Sequence, residues 1–154
     1  MNPVLEQYWS EFQRRWQERS STKPNLYEAF HFGSTKTSAN KLAALVASGH
    51  KTATSDLLWT LELDQKPLVQ VDDFSIVTDW DEKPVCLIQT TEVRVLPFTQ
   101  IDAQFAYDYG EGDRTLEWWK REMWRYYDDE CKRIGREATP EMPLVFERFR
   151  LVHC

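Results

Sequence analysis

The sequence predicts an α+β domain, a small, mostly antiparallel β-barrel with helices packed around it. Near the N-terminus and again after residue 114, apolar residues recur at spacings of three and four, as on one face of a helix. Between these stretches the pattern changes to alternation, which is typical of half-buried strands. No internal repeat, low-complexity tract or linker interrupts the chain. A single domain over residues 1–154 follows, with a helical extension at 1–26 and a core at 27–154.

Four helices are expected, at residues 2–18, 38–47, 100–106 and 114–134. Asn2 can cap the first helix, and Gly49 stands where the second would end in the left-handed conformation. Thr99 with Asp102 resembles a capping box for the third, and Asp113 can cap the fourth. The inward stripe of the first helix is Leu5, Trp9, Phe12 and Trp16. The inward residues of the fourth are Leu116, Trp119, Met123, Tyr126 and Tyr127.

Strands are expected at residues 51–59, 74–80, 85–96 and 144–152. In the first of these, Thr52, Thr54 and Asp56 alternate with Ala53, Ser55 and Leu57, as in a half-buried strand. The polar run at 81–84 contains a proline and predicts a turn. Residues 74–96 should therefore form a hairpin.

Composition narrows the class of protein. The chain has 154 residues, 42% apolar and 29% charged, which suits one globular domain without a transmembrane run. The N-terminus has no export signal, so the cytoplasm is expected. Three distant cysteines and three histidines match neither a disulfide framework nor a metal-ligand pattern. We expect no cofactor and no metal site built from His and Cys, while a divalent ion on carboxylates stays open.

The net charge and the aromatic content bear on the partner. A net charge of −6 argues against a binder of long duplex DNA, whose affinity comes from neutralising phosphates. A small basic pocket for a nucleoside or a short single strand remains compatible with that charge. Seven Trp, six Tyr and eight Phe predict a core of large rings, with a few left to stack on bases. No membrane partner is expected, and the oligomeric state is open.

The segment at residues 49–54, Gly-His-Lys-Thr-Ala-Thr, is the most informative for function. It is not a phosphate-binding P-loop, because His50 separates Gly49 from Lys51 and Ala44 stands where the first glycine belongs. A lysine whose pKa is lowered by burial could act as general base for the hydroxyl of Thr54. Residues three apart on a strand point to opposite faces, so this pairing needs a turn or bulge at the lysine. Spacing by itself favours a surface lysine beside strand threonines.

The pattern G-x-K-x-x-T between a helix and a strand resembles the signature of the ASCH domain, a relative of the PUA fold. Further blocks in the same order resemble larger bacterial members of that family, over residues 30–152. These blocks are Phe32-Gly-Ser34, Lys51-Thr-Ala-Thr-Ser55, Leu57-Leu-Trp59, Pro84-Val-Cys86, Thr90-Thr-Glu-Val93, Gly110-Glu-Gly-Asp113, Leu116-Glu-Trp-Trp119 and Glu147-Arg-Phe149.

The resemblance implies a PUA-like barrel with a cleft that handles RNA or a modified nucleoside. Some small bacterial members of the family are amidohydrolases that deacylate acetylated cytidine with a Lys, a Thr and a Glu. Lys51 and Thr54 match the first two positions, and Glu111 is the nearest match to the third. The expected substrate-binding residues are Gly49, His50, Thr52, Tyr109 and Arg114.

Three functions stay open at this stage. The first is a hydrolase in which Thr54 attacks an acyl carbonyl, such as that of acylated cytidine. The second is a non-catalytic RNA-binding module with Lys51 on a phosphate. The third is a ribonuclease, against which Met123 counts, because similar larger members often carry a histidine there. Tyr109 likewise stands where such members often have a glutamate.

Overall fold

The computed structural model describes all residues from Met1 to Cys154. It contains five α-helices, one short 3-10 helix and a five-stranded sheet of order β1-β3-β4-β5-β2. In chain order the elements are α1 (Pro3–Gln17), β1 (Leu26–Phe30), α2 (Lys36–Ala47), β2 (Ala53–Leu57), α3 (Leu58–Leu63), β3 (Phe74–Thr78), β4 (Pro84–Pro97), the 3-10 helix (Phe98–Gln100), α4 (Ala103–Tyr109), α5 (Leu116–Arg133) and β5 (Pro143–His153).

The chain forms two compact units. The first consists of residues 1–50, 70–91 and 149–154, and the second of residues 51–69 and 92–148. Strands β4 and β5 therefore each contribute residues to both units. No helix combines the length and the apolar character that crossing a bilayer requires.

In the first unit, α1 packs its apolar stripe onto the strands. Asn2 caps the helix by accepting from the Leu5 amide at 2.9 Å, as predicted. Leu5 and Trp9 are buried, and the rings of Phe12 and Trp16 lie 4.9 and 5.3 Å from that of Phe74 on β3. Strand β3 pairs in parallel with β1 and antiparallel with β4. The extension at the N-terminus is thus a packing element of this unit.

Helix α2 ends as predicted. Gly49 has φ +79°, and the amides of Gly49 and His50 close the last turn on the carbonyls of Val46 and Leu45. A side chain at this φ would be strained, which accounts for the glycine. The chain then leaves the helix abruptly and reaches Lys51 two residues later.

The second unit is built around aromatic rings from α4, α5 and β5. Strand β2 pairs antiparallel with β5, from Ala53 opposite Arg148 to Leu57 opposite Leu144. The inward face of β2 meets Phe105, Trp119 and Phe146 and their neighbours in one apolar cluster.

The fold class is confirmed as mixed α+β with mostly antiparallel strands, and the hairpin at 74–96 is present as β3 and β4. Two elements were missed, strand β1 and helix α3. Every residue of β1 is half-buried, so the strand shows no alternation, and its parallel pairing with β3 cannot be read from local pattern. The expected strand at 51–59 covers only Ala53–Leu57, because the apolar run continues into α3 at Leu58.

Several details at helix ends were wrong. Thr99 lies in the 3-10 helix, and Asp102 caps α4 instead, because Ile101 between them is extended. Thr115 caps α5, while Asp113 accepts from the Thr115 amide and hydroxyl. Tyr126 was expected inward but is 55% exposed. Trp119, Met123 and Tyr127 already fill the buried stripe of α5, and Cys131 extends it.

Candidate functional site

Lys51 is fully buried in the second unit, with 0% of its side chain exposed. Its Nζ donates to the carbonyl oxygens of Ala53 at 2.8 Å and Tyr109 at 3.0 Å, and to Oε2 of Glu111 at 2.8 Å. The same nitrogen lies 3.6 Å from the centre of the Tyr109 ring, in cation–π contact. The lysine that spacing placed at the surface is therefore a buried, fully hydrogen-bonded group.

These contacts are those of a charged ammonium group. Three acceptors match the three protons of the charged form, whereas a neutral amine has only two. Burial lowers the pKa of Lys51, and the Glu111 carboxylate opposes that shift by charge and by hydrogen bonding. Lys51 and Glu111 are therefore joined by a charge-assisted hydrogen bond of 2.8 Å in a largely buried setting.

Glu111 is held in place by two glycines. Gly110 ends α4 with φ +71°, and Gly112 has φ +59°. A Cβ on Gly112 would lie 2.1 Å from the Trp118 ring, so the loop can close on α5 only without a side chain there. The Glu111 side chain is 19% exposed, so the carboxylate touches both the buried lysine and solvent.

Thr54 lies on β2 opposite Glu147 of β5 and is half-buried. Burial raises the pKa of Tyr109 well above its ordinary value, the charge of Glu111 adds to this, and hydrogen bonds with Ser55 and Thr54 oppose it. Tyr109 therefore contacts Lys51 through its ring, and its hydroxyl accepts from Ser55 at 3.5 Å. The structure pairs Lys51 directly with Glu111. Thr54 follows Lys51 by three residues, on β2.

Behind Thr54 lies a buried polar pair that the sequence did not predict. The hydroxyls of Ser55 and Tyr127 are 2.6 Å apart, and Ser55 also reaches the Tyr109 hydroxyl at 3.5 Å. Ser55 belongs to the inward face of β2, and Tyr127 to the buried stripe of α5. A tyrosine in a helix stripe carries no sequence signal for its partner, so only the packing reveals this contact.

Tyr127→Phe should change the alkaline stability of the protein. Burial raises the pKa of Tyr127 well above 10.0, so the native state keeps a proton that the unfolded chain releases. This contribution to stability is complete below pH 10 and is lost as the pH rises towards the folded-state pKa. Removing the hydroxyl should cost about 1–3 kcal/mol at neutral pH, because Ser55 loses its closest partner. Urea unfolding of both proteins from pH 7 to 11 measures this: the deficit of the variant should shrink above pH 10. A constant deficit would contradict the assignment.

The predicted substrate-binding residues divide into two groups. In the second unit, Thr52 bonds through its amide and hydroxyl to the carbonyl of Asp108, at 2.8 and 3.2 Å. Arg114 donates to the Tyr107 carbonyl and stacks on the Tyr107 ring at 3.6 Å, which makes it a brace for the loop around Glu111. Gly49 and His50 are exposed and belong to the first unit.

A pocket of about 340 Å³, counted with the solvent at its mouth, also lies in the second unit. Arg148 at its rim is paired with Glu92 at 3.1 Å and Asp108 at 3.2 Å, so its charge is compensated. Glu92, which a strand pattern describes only as an outward carboxylate, is thus a partner of Arg148. The pocket is lined by Glu92, Arg94, Leu96, Gln100, Ile101, Asp102, Phe105, Phe146 and Arg148. No three His, Cys, Asp or Glu side chains come together as a metal site.

Comparison with known proteins supports the same fold, and the matched part of the chain includes residues 49–54. The family model described as the ASCH domain matches residues 28–153, and the chain belongs to that family. Among solved structures, the ASCH domain from Lactobacillus crispatus JV V101 is 32% identical, with a TM-score of 0.84 over 98% of this chain and 92% of that one. A protein from Enterococcus faecalis V583 is 28% identical, with a TM-score of 0.85 over 99% and 90%. No curated protein matches.

The family is generally linked to RNA binding, and its fold is PUA-like. The match begins at residue 28, so α1 lies outside it. The loop with Glu111 and the turn with Lys51 lie inside it.

Proposed function

We propose that this protein is a hydrolase that removes an acyl group from the exocyclic amine of cytidine, using Thr54, Lys51 and Glu111. The observation that carries the proposal is the buried contact between Lys51 and Glu111. Burying a lysine costs several kcal/mol, and an apolar residue of similar size is often no less stable. Retaining a charge there is understandable if the pair moves protons for a nucleophile close by. We assign this role to Thr54, which is half-buried on β2 three residues after Lys51.

The proposed reaction begins with proton transfer from Lys51 to Glu111, which leaves a neutral amine beside a carboxylic acid. Thr54 Oγ1 then bonds to the acyl carbon while its proton moves to the Lys51 nitrogen. The bond from carbon to the cytosine amine breaks, and the departing nitrogen takes the proton from Glu111. Lys51 is again an ammonium and Glu111 a carboxylate, with the acyl group on Thr54 as an ester. Water releases the acid by repeating the same proton transfers.

The alternatives are less well supported by the same residues. A binding module with Lys51 on a phosphate needs that ammonium at the surface, and here it is fully buried with three acceptors. A ribonuclease with an acid–base group at position 123 finds Met123 in the apolar cluster, 9% exposed. That the three residues line one concave cleft is part of the proposal.

The remaining features of the proposal concern setting and partners. The substrate is a modified nucleoside, free or within RNA, and the reaction needs no cofactor. Cys86, Cys131 and Cys154 are free thiols, which suits the reducing cytoplasm.

The direct test is incubation of the protein with N4-acetylcytidine, with chromatography to follow the appearance of cytidine. Cytidine should be released in proportion to enzyme concentration, and Thr54→Ala protein purified in the same way should release none above background. Single-stranded RNA incubated in parallel should stay intact. Failure to deacylate any of the acetyl, propionyl and benzoyl derivatives of cytidine would sink the proposal.

A further inference from the structure

The first unit contains a basic groove between the end of α1 and the end of β5. It is lined by Phe12, Arg15, Trp16, Arg19, Ser20, Arg150, Val152 and His153, and has an open volume of about 1000 Å³ counted with the solvent at its mouth. Three arginines and a histidine line it, and no acidic residue does. In a chain with a net charge of −6, such a concentration of positive charge at one place is not a consequence of overall composition.

The arginines of this groove have no ion-pair partner. Arg15, Arg19 and Arg150 form no ion pair, whereas Arg148 of the other unit is held by two carboxylates. Uncompensated cations that converge on one groove attract anions from solution more strongly than scattered surface charges do.

Arg150 is also positioned. Its Nε and Nη2 both donate to Oε1 of Gln89, at 2.9 and 2.5 Å, and Gln89 is a buried residue of β4. A glutamine orients the guanidinium without neutralising it, which a carboxylate in the same place would do. Fixing a charged fork in advance lowers the entropy lost when it binds a phosphate.

Two rings lie beside these charges. Phe12 and Trp16 line the groove and are each only partly buried, and the Trp16 indole is held by its Nε1 bond to the Thr22 carbonyl at 2.8 Å. Arginines that meet phosphates, next to aromatic rings on which bases stack, are the two parts of a surface for single-stranded nucleic acid.

We propose that this groove, which shares no residue with the Lys51 site, binds the backbone and bases of a single-stranded nucleic acid. Most of its residues come from α1 and the residues just after it, which precede the part of the chain that matches the ASCH family. The inference does not require hydrolysis at Thr54. The arginines meet phosphates and the rings meet bases, which RNA and single-stranded DNA share, so the two should bind alike. Duplexes, whose bases are stacked internally, should bind less well.

The test is fluorescence anisotropy with a labelled RNA of roughly 12 nucleotides, within the usual site size for single strands. Arg15→Gln/Arg19→Gln should raise Kd at least about tenfold at low salt. It should also reduce the slope of log K against log salt by about 1.4, since each phosphate contact on a single strand contributes about 0.7. Arg14→Gln is the matched control for Arg15→Gln: each removes one charge from α1, but only Arg15 lines the groove. Arg15→Gln should raise Kd at least about threefold, and Arg14→Gln should change it less than about twofold.

Two further measurements distinguish base stacking in the groove from general electrostatic attraction, and RNA binding from chemistry at Thr54. An abasic DNA strand of the same length should bind at least about fivefold more weakly than the normal strand, because it cannot stack. Hydrolysis of N4-acetylcytidine should be unchanged in the double variant. Equal effects of Arg14→Gln and Arg15→Gln would overturn the proposal. So would arginine-dependent binding to phosphatidylserine vesicles without binding to RNA.

Discussion

Thr54→Ala is expected to lower the turnover of N4-acetylcytidine by at least about a thousandfold while leaving the fold intact. The substitution removes the atom that forms the acyl ester in the proposed reaction, and Thr54 is half-buried on a strand whose apolar face it does not share. Thr54→Ser should retain part of the activity, because it keeps the hydroxyl. Steady-state rates with far-ultraviolet circular dichroism on each variant measure both effects.

Lys51 supplies the second half of this prediction. Lys51→Met should lose as much activity as Thr54→Ala, and the double variant should lose little more, because the two residues act as one unit. Lys51→Arg should also be inactive, since a guanidinium does not release its proton at any working pH. Additive losses in the double variant, or an active Lys51→Arg enzyme, would contradict the proton-transfer role.

Glu111→Leu should be the most destabilising single change near the site, by about 3–5 kcal/mol, because it leaves the buried Lys51 ammonium without a counter-charge. Glu111→Gln should cost less, since the amide oxygen still accepts from Nζ. Urea unfolding with constant m-values measures the difference. Asp128→Asn is the matched control: its ion pair with Lys132 is largely exposed, so the cost should be below about 1 kcal/mol.

The pH dependence of the stability of Glu111→Leu tests whether the unpaired charge of Lys51 causes the loss. The pKa of Lys51 is lowered by burial, and loss of Glu111 removes the main opposing interaction. Between the folded-state pKa and 10.5, the unfolded chain binds more protons than the native state, so stability rises with pH in that window. Glu111→Leu should therefore recover part of its lost stability as the pH approaches 10.5. A deficit that does not vary with pH would point to repacking of the loop instead.

Local sequence patterns predicted helix ends correctly where the backbone geometry admits few residue types. Gly49 at the end of α2 and Asn2 at the start of α1 both follow from backbone geometry that few other residues satisfy. They failed where two elements adjoin without a break in polarity, as at Leu58, where a strand becomes a helix within one apolar run. They failed also for β1, whose parallel partner β3 lies more than forty residues away in the chain.

The same distinction between local pattern and tertiary packing applies to the residues of the site. From the sequence by itself follow the helix end at Gly49, the strand that carries Thr54, and a glycine-flanked Glu111. Each of these depends on neighbours within a few residues. Only the tertiary structure decided that Lys51 is buried, because its three acceptors come from positions 53, 109 and 111. A buried cation is stable only where acceptors surround it, and here two of the three come from a distant segment of the chain. Spacing along the sequence does not reveal such acceptors, so it indicated a surface lysine.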